Sequence, residues 1–346
     1  MSVRRSINYA FTATRVSALK GKLLTRGAVT GLADAGSLEE LVARLKETPY
    51  SAYVEALKAP STAAEVENAL LRRYIEELNA LAKGAPALSA LLAKERAKLY
   101  LYEALKILLK GKLAGKTPKE IEESLSLFQG LYPEMSVLIG AAYAGDIASV
   151  VDALKAVKMD EVAGRAVSLY QEQGVPALVD ATIDYEYLRR QVDLVKNMSA
   201  DEKLYTEPLL RLEGEIYNIL AIARSKQWRL PGDVVRRFLT PVRWRLASEE
   251  YSALIAAERI EDCIAVIKKS WYKDVAAEDL GSLEKGLLEL QVRKAYEAFY
   301  TDRFHPGMII AYSKLLQVEI MSLITLIYGI EMRIPQQEVL REIMVL

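Results

Sequence analysis

Three places in the sequence carry residue types that could do chemistry, and the first is a glycine-rich segment. Gly111–Thr117 reads GKLAGKT and is similar to a phosphate-binding loop, in which successive backbone amides surround phosphate oxygens. Its two glycines are one residue too close together, and the pattern before it is that of a helix rather than a strand. We therefore predict no nucleotide site in this segment.

The other two places are the single histidine and the single cysteine. His305 could act as a general base, because the ordinary pKa of histidine is near neutrality, but it lies in the turn-forming cluster Arg303–Gly307 without an identifiable nucleophile. We predict a surface or turn histidine. One histidine and one cysteine cannot assemble a zinc site of the usual kind, and Cys263 is predicted to be a small core residue. We expect no catalytic, metal-binding or cofactor-binding residue and no small-molecule substrate.

Charged residues balance over the whole chain but not along it. The 346 residues include 46 Lys and Arg against 46 Asp and Glu, so the basic excess of a duplex nucleic-acid binder is missing and we expect no such partner. Residues 1–30 contain six basic residues and no acid, and residues 222–245 contain seven against one. Such patches can dock an acidic partner or phospholipid head groups, although a solvated helix face has the same composition. The candidate partner contacts in these clusters are Arg15, Arg224, Lys226, Arg229, Arg243 and Arg245.

The hydropathy of the chain predicts a folded protein without a membrane span. The hydrophobic fraction of 51% is enough for a substantial core. The most apolar run, residues 320–330, is about half of the roughly 20 residues that cross a bilayer. The start of the sequence lacks the apolar stretch of a signal peptide, so we expect the protein to stay in the cytosol.

Apolar residues recur at three- and four-residue spacing along nearly the whole chain, without the sustained alternation that is typical of strands. This spacing predicts an all-α fold. One short amphipathic segment occurs three times, with apolar residues at offsets 0, 3, 4 and 7 followed by a lysine. The three copies are Leu38–Lys46, Ile147–Lys155 and Ile260–Lys268.

A second element recurs in the same order. Glu215 precedes Pro231 at the same spacing as Glu319 precedes Pro335, while the copy around Pro118 is looser. Each copy predicts a long helix, a break, and a new helix that starts at the proline, whose fixed φ suits a first helical turn. The repeats predict an N-terminal helix within residues 1–36 and three helical units over residues 37–130, 131–245 and 246–346.

Several short motifs are spread over most of the chain. They are Tyr9-x-Phe11 with Arg15-Val16-x-Ala18 and Leu23-Leu24; Leu41-x3-Leu45-x2-Thr48-x-Tyr50; Glu215-x2-Asn218-x3-Ile222-x-Arg224-x-Lys226; and Ala311-Tyr312-x-Lys314 through Leu323, Pro335 and Val339. Together with the repeats, these motifs resemble the C subunit of the archaeal-type (A-type, V/A-type) ATP synthase, which is similar to the d subunit of the eukaryotic vacuolar ATPase.

The resemblance implies three similar helical-bundle domains arranged as a funnel around a pseudo-threefold axis. It implies that the wide mouth receives the central shaft and that the other face sits on the proteolipid ring, peripheral to the membrane on its cytoplasmic side. The implied task is to transmit torque between proton or sodium flow and ATP synthesis or hydrolysis, without catalysis by this protein and without a cofactor.

Two other functions are compatible with the residues alone. A free-standing helical-repeat adaptor has a similar composition, but its repeats are roughly 30–50 residues long, whereas those in this chain are about 110. An all-helical enzyme needs convergent acids or a pocket with perturbed groups. The rotor subunit is the leading hypothesis.

Overall fold

The regular secondary structure of the described chain is entirely helical. A computed structural model describes residues 3–343, with side chains from residue 7 onward. Within this range no strand occurs, so the predicted all-α class is confirmed. The first helices are α1 (Val3–Lys20), α2 (Arg26–Ala33), α3 (Leu38–Leu45), α4 (Ser51–Val54), α5 (Ala63–Ala82), α6 (Ala87–Ala97), α7 (Leu99–Leu113), α8 (Pro118–Leu125) and α9 (Met135–Ala142).

The remaining helices include the longest ones. They are α10 (Ile147–Ala153), α11 (Asp160–Gln173), α12 (Ala177–Lys196), α13 (Ala200–Gln227), α14 (Gly232–Arg236), α15 (Ser248–Ala256), α16 (Ile260–Ile267), α17 (Leu280–Ala298), α18 (Gly307–Glu331) and α19 (Gln336–Glu342). One large apolar cluster takes side chains from both ends of the chain, and a second lies among α11–α17.

Polar side chains define where many of these helices begin. Ser37 accepts a hydrogen bond from the N–H of Glu40 at 3.2 Å, and Asp146 accepts one from the N–H of Ser149 at 2.7 Å. Each bond satisfies an N–H that has no carbonyl partner within the helix. Helices α5, α8 and α13 each begin with a capping box, in which a threonine or serine and a glutamate cap each other's backbone N–H groups.

The short repeated segment is helical in all three copies, as α3, α10 and α16. In the middle copy the helix continues as a 3₁₀ helix over Leu154–Val157. The buried residues at the predicted offsets are Leu41, Val42 and Leu45; Val150 and Leu154; and Cys263, Ile264 and Ile267. The apolar spacing therefore identifies the face that packs into the core.

The long repeated helices α7, α13 and α18 end in the same way. After each of them comes a residue with positive φ, namely Gly115 (71°), Arg229 (52°) and Arg333 (56°). The N–H of the next residue bonds to the carbonyl five residues earlier, in the pairs Lys116–Gly111 (3.0 Å), Leu230–Ser225 (3.1 Å) and Ile334–Gly329 (2.8 Å). This is the Schellman termination, and it fixes which residues of the three copies correspond.

The helix ends correct the alignment that the prolines suggested. Thr117, not Pro118, corresponds to Pro231 and Pro335. Pro118 is the first residue of α8, as predicted, whereas the other two prolines are the N-caps of α14 and α19, one residue before the helix.

Arg229→Gly should raise the free energy of unfolding by about 0.5–1 kcal/mol. A residue with a Cβ pays about 1 kcal/mol or more for the left-handed conformation, and glycine does not. The matched control is Gly115→Arg, because this position has the same conformation and open space around it, so only backbone strain is added. Urea denaturation of both variants is the measurement. If both variants have the same free energy of unfolding as the parent, the left-handed conformation of Arg229 is not strained.

Each long helix and the short helix after it pack against short helices elsewhere in the chain. Helices α7 and α8 contact α9, and α7 also contacts α10; α13 contacts α15 and α16. In the last copy, α18 contacts α2 and α3, and α19 contacts α2. The C-terminal helices thus use an N-terminal pair where the other copies use the segment that follows them.

Helix α18 lies at the centre of this packing, in contact with α1, α5, α6, α13 and α17. It is long and apolar enough to cross a membrane, which the run 320–330 did not indicate, because interior positions such as Lys314 and Glu319 interrupt the apolar sequence. However, 72% of its most apolar 18-residue stretch is buried inside the protein. We interpret α18 as a core helix of the fold.

Candidate functional site

Three of the six candidate basic residues lie at the C-terminal end of α13, in different surroundings. Arg224 is exposed, and its Nε pairs with Glu284 of α17 at 2.8 Å. Lys226 is buried, its ammonium donates to the carbonyl of Ile255 at 2.8 Å, and burial lowers its pKa. Arg229 is exposed and has no ion pair among the side chains of residues 7–343.

Arg243 and Arg245 lie in the segment between α14 and α15 and are both exposed. The guanidinium of Arg243 lies 4.1 Å from the ring centroid of Tyr251. That of Arg245 lies 4.7 Å from the ring of Trp244 and 5.4 Å from the ring of Trp271. Cation–π contacts of this kind hold each guanidinium while leaving its N–H donors available to a partner.

Arg15 belongs to a different part of the fold. It is half-buried on α1, which packs against α5 and α18, and its guanidinium lies 5.9 Å from the ring of Phe11. The six candidates therefore lie in separate surroundings, and even Arg243 and Arg245, two residues apart in one exposed segment, contact different aromatic rings.

A basic cleft beside Arg245, whose guanidinium lies over the ring of Trp271, was missed by the sequence analysis. Its volume is about 440 Å³, and its charged lining residues are Lys269, Lys273, Asp274, Arg293 and Lys294. Trp271 also lines it and is 41% exposed. We call it the Trp271 cleft. The alternation of lysines with a tryptophan just after α16 was the available sequence pattern.

The loop that forms the Trp271 cleft is anchored through Tyr272 to Glu215 of α13. The buried Glu215 carboxylate accepts from the Tyr272 hydroxyl at 2.7 Å and from three backbone N–H groups, those of Trp244 (2.7 Å), Arg245 (2.8 Å) and Leu246 (3.2 Å). We call these residues the Glu215 cluster. It ties the arginine segment and the tryptophan loop to one long helix.

Glu319 of α18 has the corresponding role in the last copy. Its carboxylate accepts from the Tyr50 hydroxyl at 2.7 Å, from Arg73 Nη1 at 3.0 Å and from the backbone N–H of Leu24. Burial raises the pKa of Glu319, although Arg73 and Tyr50 favour its charged form. Glu215 and Glu319 therefore join long helices to tyrosines in corresponding loops.

The remaining copy has an apolar pair at these positions. The correspondence of the helix ends assigns Leu101 to the place of Glu215, and the spacing after α10 assigns Met159 to the place of Tyr272. Both residues are buried in the large apolar cluster. In each copy the helix position and the loop position are therefore matched: glutamate contacts tyrosine in two copies, and leucine and methionine occupy the two positions in the third.

A buried ionic cluster connects four helices at the centre of the molecule. Arg96 of α6 is 1% exposed, and its Nη1 contacts Glu213 of α13 at 2.9 Å and Gln191 of α12 at 2.7 Å. Lys314 of α18 contacts the same glutamate at 3.2 Å, and Ser313 accepts a hydrogen bond from Arg96 Nε. We call these residues the Arg96 cluster. It cross-links helices that belong to all three sequence repeats.

The Arg96 cluster should make stability depend on pH. Burial opposes ionisation of Glu213, but Arg96 and Lys314 outweigh it and lower its pKa from 4.5 to about 2. A carboxyl whose pKa is lower in the folded state stabilises the fold above its ordinary pKa and loses that effect as the pH falls toward the folded pKa. The stability difference between the parent and Glu213→Gln should therefore shrink between pH 4.5 and pH 2. A constant difference in acid denaturation curves would contradict the assignment.

The single cysteine and the single histidine are both packed inside the fold. Cys263 is buried, its Sγ contacts the carbonyl of Leu254 at 3.7 Å, and burial raises the pKa of its thiol to about 11, as expected of a core residue. His305 lies in the predicted turn but is buried and stacked on Tyr205 at 4.8 Å, so the surface alternative is wrong. Among residues 7–343 no group of His, Cys, Asp and Glu could hold a metal ion.

The glycine-rich segment Gly111–Thr117 is the end of α7 and the start of α8. Gly111 is inside α7, and the Cβ of any other residue there would lie 2.8 Å from Ile121. Gly115 provides the left-handed turn, and Thr117 caps α8 by accepting from the N–H of Glu120 at 3.3 Å. The pattern before this segment is helical, as predicted, and its two glycines serve helix packing and helix termination.

Comparison with known proteins identifies relatives along almost the whole chain. Residues 12–342 match the family described as ATP synthase (C/AC39) subunit. The A-type ATP synthase C subunit of Methanocaldococcus jannaschii is 24% identical over 85% of this chain and 73% of its own length. Those of Methanothermobacter thermautotrophicus (23%; 79% and 68%) and Thermococcus kodakarensis (24%; 88% and 80%) are similarly related. With the all-helical fold, this match confirms the resemblance that the motifs indicated: the chain belongs to the ATP synthase (C/AC39) subunit family.

Proposed function

We propose that this chain is a non-catalytic central-stalk (rotor) subunit of a rotary A-type or V-type ATPase. In this function it is a socket between the central shaft and the membrane proteolipid ring, peripheral to the membrane on its cytoplasmic side. It transmits torque for proton or sodium transport coupled to ATP synthesis or hydrolysis. The single observation that carries the proposal is the family match over residues 12–342.

The mechanical side of the proposal is supported by the buried polar clusters. Torque passes through a rotor component without loss only if its helices keep their relative positions under load. The Arg96 cluster, the Glu215 cluster and the contacts of Glu319 with Tyr50 and Arg73 each join distant parts of the chain through charged groups that have little contact with water. Shifting a helix would leave buried charges and donors unpaired, which costs about 1–3 kcal/mol for each group. The clusters therefore favour a stiff body.

The repeats support the proposed shape. Three corresponding helix ends, and the contact of the C-terminal helices with α2 and α3, suit three related units in a closed arrangement. We propose that these units form the funnel. Along the sequence, we propose an N-terminal helix within residues 1–36 and three helical domains over residues 37–130, 131–245 and 246–346. Arg15, Arg229, Arg243 and Arg245 are proposed partner contacts, whereas Lys226 and Arg224 already have partners within the chain.

Removal of the chain provides the functional test. Membranes that lack it should keep ATP hydrolysis by the catalytic head and lose ATP-driven ion pumping, and adding back the purified chain should restore pumping. Hydrolysis by the purified chain itself, or full pumping without it, would contradict the proposal. The adaptor alternative predicts that both activities are unchanged.

A further inference from the structure

The Trp271 cleft combines unpaired cations with a fixed aromatic surface. Lys269, Lys273 and Arg293 are exposed and have no ion pair among the side chains of residues 7–343. Of the other charged lining residues, Lys294 pairs with Glu297 outside the cleft, and Asp274 is an acid. The cleft therefore has a positive excess that the chain itself does not neutralise.

The aromatic part of the cleft is held rigidly. The ring of Trp271 meets Trp244 edge to face at 4.9 Å and Tyr272 at 5.1 Å, and Arg245 lies over both tryptophan rings. Tyr272 is in turn bonded to Glu215. Because the ring of Trp271 is held in place before binding, little side-chain entropy is lost when an apolar side chain of a partner packs against it.

Only one of the three corresponding loops has this chemistry. The positions of Lys269, Trp271 and Lys273 correspond to Glu47, Pro49 and Ser51 in the segment after α3, and to Ala156, Lys158 and Asp160 in the segment after α10. A scaffold with three related loops therefore presents a single basic and aromatic cleft, which suits one segment of a partner rather than a ring of equivalent ones.

We propose that the Trp271 cleft binds one carboxylate-rich segment of a partner protein. Carboxylates of the segment pair with Lys269, Lys273 and Arg293, and its apolar side chains contact Trp271. A membrane surface fits less well, because the cations line a concave cleft of about 440 Å³ and the tryptophan is fixed against two rings rather than free to enter lipid. Only the identity of the partner, another subunit of the rotary complex, rests on the proposed function. The chemistry of the cleft suits any acidic protein partner.

Binding of a fluorescently labelled glutamate-rich helical peptide to the purified full chain tests the proposal. Lys269→Glu/Lys273→Glu should weaken binding about tenfold or more, equivalent to at least ~1.4 kcal/mol. The matched control is Lys58→Glu/Lys83→Glu, which makes the same charge change at two exposed lysines outside the cleft. The control should bind within about twofold of the parent, and the glutamine analogue of the peptide should bind weakly to all three.

Several results would overturn the proposal. They are absence of peptide binding, equal weakening by both double variants, and cleft-dependent binding to phosphatidylglycerol vesicles without binding to the peptide. Circular dichroism of each variant shows whether it is folded, and Trp271→Ala provides a change without charge reversal, with an expected loss of severalfold. The pumping experiment is independent: a chain that binds the peptide through the cleft but does not restore pumping refutes the proposed function and leaves this inference standing.

Discussion

The Arg96→Met variant should lose about 3–5 kcal/mol of unfolding free energy. Removing one partner of a buried ion pair leaves the other charge without compensation in a medium that solvates it poorly. Here the substitution leaves the Glu213 carboxylate with Lys314 alone and removes the donors to Gln191 and Ser313. Urea denaturation followed by circular dichroism is the measurement.

A surface arginine gives the control for this experiment. Arg259→Met removes an exposed pair with Asp262, and we expect a change within about 0.5 kcal/mol. A third variant, Arg96→Met/Glu213→Leu/Lys314→Met, removes all three charges together and should recover much of the lost stability, since apolar side chains of similar volume can replace a buried ionic cluster. Equal stability of Arg96→Met and Arg259→Met would contradict the role of the Arg96 cluster.

The Glu215→Ala variant should lose between ~3 and ~5 kcal/mol. The substitution leaves four donors without their acceptor. The Tyr272 hydroxyl and the N–H of Leu246 are buried and cost about 1–3 kcal/mol each when unpaired, whereas the half-buried N–H groups of Trp244 and Arg245 can turn to water and cost less. Because the same carboxylate holds Arg245 and the Trp271 loop, the variant should also weaken binding of the glutamate-rich peptide.

Glu250→Ala is the matched control for Glu215→Ala. Glu250 is a half-buried capping residue that accepts from the N–H of Ala247 at 2.8 Å, so its loss should cost no more than about 1 kcal/mol. The double variant Glu215→Leu/Tyr272→Met copies the apolar pair Leu101 and Met159. It should not restore stability, because the three N–H groups still lack an acceptor. Full recovery in this variant would show that the backbone contacts contribute little.

The sequence predicted the helices and their recurrence because these depend on local patterns. The spacing of Leu41, Val42 and Leu45 identified α3 and its buried face, and the same spacing found α10 and α16. Composition was enough to exclude a zinc site of the usual kind, because the chain has one histidine and one cysteine.

The contacts between distant helices could not be derived from spacing. Periodicity shows which face of a helix is buried, but not that Arg96 meets Glu213 or that Tyr50 meets Glu319. Charge clustering along the chain also groups neighbours in sequence, so it treated Lys226 as a surface candidate although its ammonium bonds to a buried carbonyl. Thr48-x-Tyr50 recurs as Ser270-x-Tyr272. This recurrence, which the sequence analysis did not use, was a local signal for the glutamate–tyrosine contacts.

The Trp271 cleft was missed because its cations come from segments that are far apart in the sequence. Its cations come from the loop after α16 and from α17, and Arg293 is 20 residues from Lys273 in the sequence. The loop Lys268–Lys273 has three lysines in six residues, but the sequence does not show that it faces Arg293. That arrangement depends on the packing of α16 and α17 against α13.

Electron cryo-microscopy of the complex that copurifies with this chain from solubilised membranes tests the central claim most directly. We expect a single copy of the chain on the rotation axis, between the end of the central shaft and the proteolipid ring, with α18 at the centre of its helix packing. A chain bound to a peripheral stalk, or one that leaves solubilised membranes without a ring and a catalytic head, would contradict it.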